Sequence, residues 1–262
     1  MDVNGYIERK TMLYKTKVEY GDYTMNHVLG CAHGCRYPCY AYLMAKRFGK
    51  VTNYSEWVQP RLVKNTLELL KTEVPRLKQQ IRSVQLCFTT DPFMYNYEEV
   101  VNLSLAAIEY LNNEGLKCRV LTKGELPGSL AGFSKENEYG ITLISLDENY
   151  RELIEPGAAA YADRIKALQY LSKSGCKTWV SIEPYPTPNL INQSLSTLLD
   201  TVAFADKIIF GRTNYNSDVS AYQGREAFYM SCVSEVKEFC DKNKIECYIK
   251  AKTLRSTTDN LK

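Results

Sequence analysis

Five short segments rich in β-branched and aromatic residues recur along the chain: 82–88 (RSVQLCF), 117–122 (KCRVLT), 140–146 (GITLISL), 177–183 (KTWVSIE) and 206–211 (DKIIFG). Gly, Pro, Asp or Asn bounds them, and the stretches between them carry apolar residues at helical spacing, such as Val101, Leu105, Ile108 and Leu111. Short apolar strands alternating with helices are the pattern of a parallel sheet covered by its own crossovers. With a further strand over 26–30 (NHVLG), about six βα units result, and right-handed crossovers wind them into an α/β fold, a partial (β/α)6 barrel of the TIM type. The expected division of this single domain is an N-terminal arm over 1–26, a barrel core over 27–215, and a C-terminal helix plus short strand (IECYIK) over 216–262.

In such a sheet the chemistry gathers at the carboxyl ends of the strands, where the loops project. That rule selects 89–93 (TTDPF), 122–127 (TKGELP), 146–150 (LDENY), 183–188 (EPYPTP) and 211–216 (GRTNYN), together with the loop after the first strand, 30–42 (GCAHGCRYPCYAY).

The last of these is the most informative. Nine cysteines in a chain with no apolar leader and no apolar run long enough to span a bilayer point to a cytoplasmic protein, where thiols stay reduced and clustered cysteines bind metal. A net charge of +3 neither demands nor excludes a polyanionic partner. Cys31, Cys35 and Cys39 lie four residues apart with no second pair beyond them. Three thiolates with no obvious fourth donor suit an iron–sulfur cluster with one corner left open, whereas structural zinc takes four closed ligands. His27 or His33 completing a zinc site, and three unligated core cysteines, are the alternatives.

The loop resembles the signature of radical S-adenosylmethionine (SAM) enzymes, with one extra residue, Pro38, that makes the pattern C-x3-C-x3-C. The resemblance continues through TTDPF, VLTKG, the stretch from ISLDENY to LSKSG, and WVSIEP, which are similar to the branch of that family containing spore photoproduct lyase and the DNA repair photolyase-like proteins. It implies a lyase-type enzyme that holds a 4Fe–4S cluster on Cys31, Cys35 and Cys39. SAM would bind at the open iron, be cleaved reductively, and yield a 5′-deoxyadenosyl radical. It also implies an electron donor such as flavodoxin or ferredoxin, and nucleic acid as the leading substrate class, with the base or lesion extruded from its stack into the barrel; a nucleotide, a tRNA base or a peptide are the other candidates.

By matching position, Thr90, Lys123 and Ser145 would contact SAM at the ends of the second, third and fourth strands, and Asp91 either joins them or starts a turn. Tyr37 and Tyr40 flank the third cysteine, near the radical path or as packing aromatics. Glu183, Arg212 and Asn214 at the last two strand ends would bind substrate, unless they are solvated loop positions. Phe88 occupies the register position at which the family carries its hydrogen-donor cysteine, so in a regular strand Cys87 faces the other side of the sheet. His33 is expected to hydrogen-bond within its loop and His27 to be structural. A protein of another class, a non-enzymatic binding module stapled by zinc or a cluster, is the competing reading.

Overall fold

The strands of the computed structural model, which describes residues 1–16 and 21–254, form one large and one small sheet. The large sheet contains β2 (Leu13–Lys15), β3 (Tyr23–Met25), β6 (Ser83–Leu86), β7 (Lys117–Thr122), β8 (Glu138–Thr142), β9 (Lys177–Tyr185), β10 (Lys207–Arg212) and β11 (Glu246–Ile249), in the order β11-β10-β9-β8-β7-β6-β3-β2. All neighbours are parallel except β2 and β3, which pair antiparallel at one edge. The small sheet joins β1 (Tyr6–Ile7), β4 (Val28–Leu29) and β5 (Arg61–Val63) in the order β1-β5-β4. Residues 17–20 and 255–262, parts of the expected arm and C-terminal segment, lie outside the described residues.

Helices α1 (Tyr40–Arg47), α2 (Tyr54–Trp57), α3 (Thr66–Leu77), α4 (Glu98–Asn113), α5 (Glu148–Ile154), α6 (Tyr161–Lys173), α7 (Leu195–Thr201), α8 (Ser217–Ala221) and α9 (Arg225–Asn243) connect the strands. One sheet face packs on these helices: Val84 and Leu86 of β6, Val120 of β7, Ile141 of β8 and Val180 of β9 share a core with Leu70, Ile108, Leu168 and Val236. On the opposite, inner face, Trp179 and Ile209 meet Phe88, Leu121 and Tyr248. Gly140 is required there, since a Cβ on it would lie 2.4 Å from the Trp179 ring. Curved around this inner cluster, the sheet is the expected partial barrel.

One strand assignment changes. The first parallel strand is β3, three residues before the segment expected to supply it, and Val28–Leu29 pairs with β5 in the small sheet instead. The residues expected as an arm therefore contribute β1, β2 and β3. A buried carboxylate ties this region down: Glu73 of α3 accepts hydrogen bonds from the amides of Met12 at 2.9 Å and Leu13 at 2.8 Å. The strand at 140–146 also ends earlier than its apolar run suggests, at Thr142, with consequences for the site.

Candidate active site

A cavity of about 400 Å³ opens at the carboxyl ends of the parallel strands, and Cys31, Cys35 and Cys39 all border it. The loop carrying them is held by backbone contacts on both sides. Cys31 donates its amide to the Trp57 carbonyl at 2.8 Å, and Arg36 to the Ile154 carbonyl at 2.8 Å. Tyr54 donates its hydroxyl to the Cys35 carbonyl at 3.0 Å. The chain after α5 presses on the same loop: Gly157 donates its amide to the His33 carbonyl at 3.0 Å, and a Cβ on Gly157 would lie 2.1 Å from the Ala32 oxygen. Backbone on backbone leaves nothing that can swing aside, so Gly157→Ala is expected to displace the cysteine loop. The measurement is iron bound per chain after anaerobic reconstitution, which should fall well below that of the parent while the melting temperature changes little.

Pro38 breaks any regular structure before the third cysteine, and Cys39 then becomes the N-cap of α1, in extended conformation at φ −68° and ψ 110°. Burial pushes the Cys39 thiol up, opposed by the amides of Tyr42 and Ala41 at the helix start. Burial likewise raises Cys35 to about 12 and Cys31 well above its usual value, with Asp91 adding to the latter. Three thiols that resist ionisation around one cavity need a strongly cationic occupant to become thiolates.

Zinc fits this arrangement poorly. Among the described residues no three His, Cys, Asp or Glu side chains converge closely enough to share one ion, and the three cysteines of the loop are no exception; a cluster, which takes one thiolate per iron, calls for wider spacing than a single ion. Both histidines proposed as a fourth ligand are committed elsewhere. His33 Nε2 accepts the Tyr95 amide at 3.2 Å, so its proton sits on Nδ1, facing Asp91 at 3.3 Å. His27 Nε2 is 2.7 Å from the Ser104 hydroxyl, and its Nδ1 is 3.4 Å from Cys87 Sγ.

Lys123, at the end of β7, is where the sequence places it, beside the cavity. Its ammonium is 2.5 Å from Glu155 Oε1, 3.8 Å from Cys35 Sγ and 4.5 Å from the Tyr37 ring centroid. Glu155 follows α5, is fully buried, and pairs through its second oxygen with the fully buried Arg164 at 3.0 Å. Burial alone would raise the Glu155 carboxyl, but Lys123 and Arg164 outweigh it and hold the group at about 2. Burial would in turn strip the proton from Lys123, and Cys35 and Glu155 reverse that, so its pKa is raised. Tyr37 donates its hydroxyl to Glu155 Oε1, the oxygen that faces Lys123, at 3.3 Å. A fixed positive charge thus stands beside one cysteine, locked by an acid that sequence reasoning missed. Glu155 lies within the stretch from ISLDENY to LSKSG that resembles the family, but nothing in its spacing marks a buried ion pair.

Two residues expected near SAM have partners within the protein. Ser145 is fully buried and lies outside the cavity lining; its hydroxyl accepts the Asp147 amide at 3.1 Å and shapes the turn into α5. Because β8 ends at Thr142, that residue and its register partner Ser181 of β9 line the cavity instead. Ser145→Ala should therefore leave SAM affinity, measured by equilibrium binding, unchanged. Asp91 does border the cavity, but its carboxylate is filled by the protein's own donors: the Phe93 amide at 2.9 Å, the Thr122 hydroxyl at 2.6 Å, the Lys123 amide at 2.8 Å, and His33. Its work is to lock the second and third strand ends to the cysteine loop.

The remaining candidates reach the cavity. Thr90 lines it, 3.4 Å from the Val28 carbonyl. Tyr40 lines it with its hydroxyl 2.5 Å from the Phe88 carbonyl and its ring tilted on Phe88. Glu183, Arg212 and Asn214 stand on the rim. Glu183 pairs with Lys250 at 3.1 Å, and Arg212 with Glu226 at 3.5 Å. Lys250 and Lys252, just past β11, join this rim, as does Gln85 on β6, whose amide oxygen has no hydrogen-bond partner among the described residues. Gln85, Thr142 and Ser181 were legible in principle as polar residues on otherwise apolar strands.

Cys87 departs from expectation as well. β6 ends at Leu86, and Cys87 takes a left-handed conformation at φ 50°. The strict alternation of faces stops there, so Cys87 and Phe88 both line the cavity. Burial raises the Cys87 thiol to about 12 and lowers His27 to about 3. The Ser104 hydroxyl donates to the Pro92 carbonyl at 2.5 Å, so it must accept from His27 Nε2, leaving Nδ1 free to accept from the thiol.

The radical SAM superfamily model matches residues 25–202. An uncharacterised protein of Methanocaldococcus jannaschii is 28% identical over 190 residues, covering 71% of this chain and 68% of that one. An uncharacterised protein of Acidianus two-tailed virus is 23% identical over 193 residues, covering 69% of this chain and 61% of its own length. Among solved structures, spore photoproduct lyase complexed with dinucleoside spore photoproduct superposes with a TM-score of 0.67 at 15% identity, covering 94% of this chain and 80% of that one. The fold is thus that of spore photoproduct lyase. With the family model matching most of the chain, through the cysteine loop and the strand ends that form the cavity, the protein belongs to the radical SAM superfamily and is an enzyme of that type.

Proposed function

We propose that Cys31, Cys35 and Cys39 hold a 4Fe–4S cluster, that SAM binds beside it in the cavity, and that the substrate enters the same cavity from the rim of Arg212, Lys250 and Lys252. The observation that carries this reading is the placement of three separated cysteine sulfurs, with no uncommitted histidine or cysteine beside them among the described residues, on one cavity at the carboxyl ends of the barrel strands. The family implies both groups, and the residues present fit them: three buried thiols, a locked ammonium 3.8 Å from Cys35, and polar side chains on strands β6, β8 and β9 facing inward. When bound, the cluster and SAM supply the one-electron cleavage that yields a 5′-deoxyadenosyl radical.

The chain's own residues do the rest. Lys123, fixed by Glu155, offsets negative charge beside Cys35. Asp91 and His33 hold the strand ends and the cysteine loop in register. Gln85 Oε1, Thr142 and Ser181 supply hydrogen-bonding groups in the cavity wall, and the inner apolar cluster of Trp179, Ile209, Phe88 and Leu121 keeps water out. Cys87 stays a protonated thiol at neutral pH, in the form that can give up a hydrogen atom, with His27 accepting from it.

For the substrate, the rim, where Lys250 pairs with Glu183, Arg212 pairs with Glu226 and Lys252 adds a further positive charge beside exposed Tyr215, favours an anionic, ring-bearing molecule, a nucleotide or a base of a nucleic acid. The solved relative that binds a dinucleoside lesion is consistent with this. No helix among the described residues is long and apolar enough to cross a membrane, and a cytoplasmic place follows from three cysteines that must stay reduced. The test is anaerobic reconstitution with iron and sulfide, then SAM and dithionite. Formation of 5′-deoxyadenosine supports the proposal, and intact SAM in the presence of a fully loaded, reduced cluster overturns it.

A further inference from the structure

The helix that begins at the third cysteine carries two faces of different kinds. Ala41 and Ala45 turn inward and pack with Val51 and Trp57. Turning outward are Leu43, 43% exposed, Met44, 41% exposed, and, one turn on, Phe48, 63% exposed. Together with half-exposed Tyr40 they occupy positions i, i+3, i+4 and i+8, one stripe of an α-helix. A stripe of four large apolar groups in solvent is a surface for contact with something else. Around it stand Lys46, Arg47 and Lys50, all exposed, with Arg36 in the cysteine loop. From residue 30 to residue 55 there is no Asp or Glu at all.

We propose that this outward face of α1 docks a small acidic electron-transfer protein of the flavodoxin or ferredoxin class. The inference rests on the proposed function, since it concerns how an electron reaches the group held by Cys39. Three observations favour this occupant. The patch joins an apolar centre to a mainly basic rim, Lys46, Arg47, Lys50 and Arg36, with Glu56 at its edge paired to Arg61; this is the complement of an acidic surface surrounding an apolar redox centre. Cys39 is the N-cap of α1, and an eight-residue helix is about 12 Å long, so the whole patch lies at short range from that sulfur. The middle of the stripe is the flexible, aliphatic pair Leu43 and Met44, which separates the rings of Tyr40 and Phe48 and suits an apolar protein face better than a continuous run of stacked bases. The transfer needs no bond change and no proton: the reduced carrier loses one electron and the cluster gains it.

The experiment uses the reconstituted enzyme, reduced flavodoxin as probe, and two readouts besides turnover: the rate at which the cluster absorbance bleaches, and flavodoxin affinity by calorimetry at low and high salt. Lys46→Glu/Arg47→Glu and Phe48→Ser are all changes at exposed positions outside the cavity. Both variants are expected to slow bleaching by flavodoxin about tenfold or more and to weaken its binding, the charge variant losing its salt dependence. Bleaching by dithionite, which needs no docking surface, should be unchanged in both. Undiminished flavodoxin affinity and reduction in both variants would overturn the docking surface while leaving the cluster reading intact. So would a charge variant that loses only the binding of a single-stranded oligonucleotide. Absence of iron in the reconstituted parent would overturn the cluster reading and this proposal together.

Discussion

Cys35→Ala is expected to yield a folded, colourless protein with little bound iron and 5′-deoxyadenosine formation at background. Cys35 is the cysteine most tightly embraced by the site: the Lys123 ammonium lies 3.8 Å from its sulfur and Tyr54 holds its carbonyl. Removing one of three thiolates leaves two, too few to keep a cubane that already has one corner without a protein ligand. Folding should survive, because the thiol makes no structural hydrogen bond that the neighbouring Glu155–Arg164 pair depends on. Cys118→Ala provides the contrast: its thiol is fully buried in the main core, so iron content should stay at the parent level while stability falls by about 1 kcal/mol, the cost of a small cavity. Iron analysis and thermal melts of the two variants separate a ligand from a core cysteine.

Glu155→Ala is expected to be the most damaging single change for the fold. Arg164 and Glu155 are both fully buried, and the alanine would leave the guanidinium, and half of the Lys123 contacts, without their counterion. Stranding a buried charge in this way costs about 3–5 kcal/mol. For a chain of this size that corresponds to a fall of roughly 6–20 °C in melting temperature. The same change frees Lys123 from its place beside Cys35, so iron loading should decline as well. Glu155→Gln, which keeps the volume and one hydrogen-bond acceptor, isolates the charge. The Glu155 carboxyl is held at about 2 in the fold against 4.5 for the free group. A depressed carboxyl contributes stability above its unfolded value and loses it as pH falls through the folded value. The parent should therefore exceed the Gln variant in stability at pH 7, and the gap should shrink below about pH 4.5 and close near pH 2. A gap independent of pH would mean that the pair does not stabilise through its charge.

Much of the architecture was legible because the determinant was local. Segments such as KCRVLT and KTWVSIE carry their own strand signal, and their alternation with helices leaves few alternatives to a parallel sheet with its chemistry at one end. The cysteine loop was equally readable, since three like ligands at close spacing announce themselves without knowledge of the fold. What could not be read were places where tertiary geometry overrode periodicity. NHVLG has the composition of a strand, yet the first parallel strand is Tyr23–Met25, because the chain must leave the large sheet early for Val28 to pair with Leu62. GITLISL stays apolar for two residues past the end of β8, Leu143 and Ile144, so Ser145 falls in a turn and Thr142 in the cavity. Cys87 was assigned by strict alternation to the far side of the sheet, and a single left-handed residue brought it to the cavity wall. At Asp91 the sequence leaves a turn and a SAM contact both open; the turn is there, in the bond from the Phe93 amide. The carboxylate's four donors come from three separate parts of the chain, which no spacing rule can anticipate.

The most direct measurement is the electron paramagnetic resonance spectrum of the anaerobically reconstituted, reduced protein, recorded with and without SAM alongside its metal content. A cluster held by Cys31, Cys35 and Cys39 with one corner free predicts about four irons per chain and a signal that changes on adding SAM. Stoichiometric zinc, or an iron signal indifferent to SAM, would contradict it.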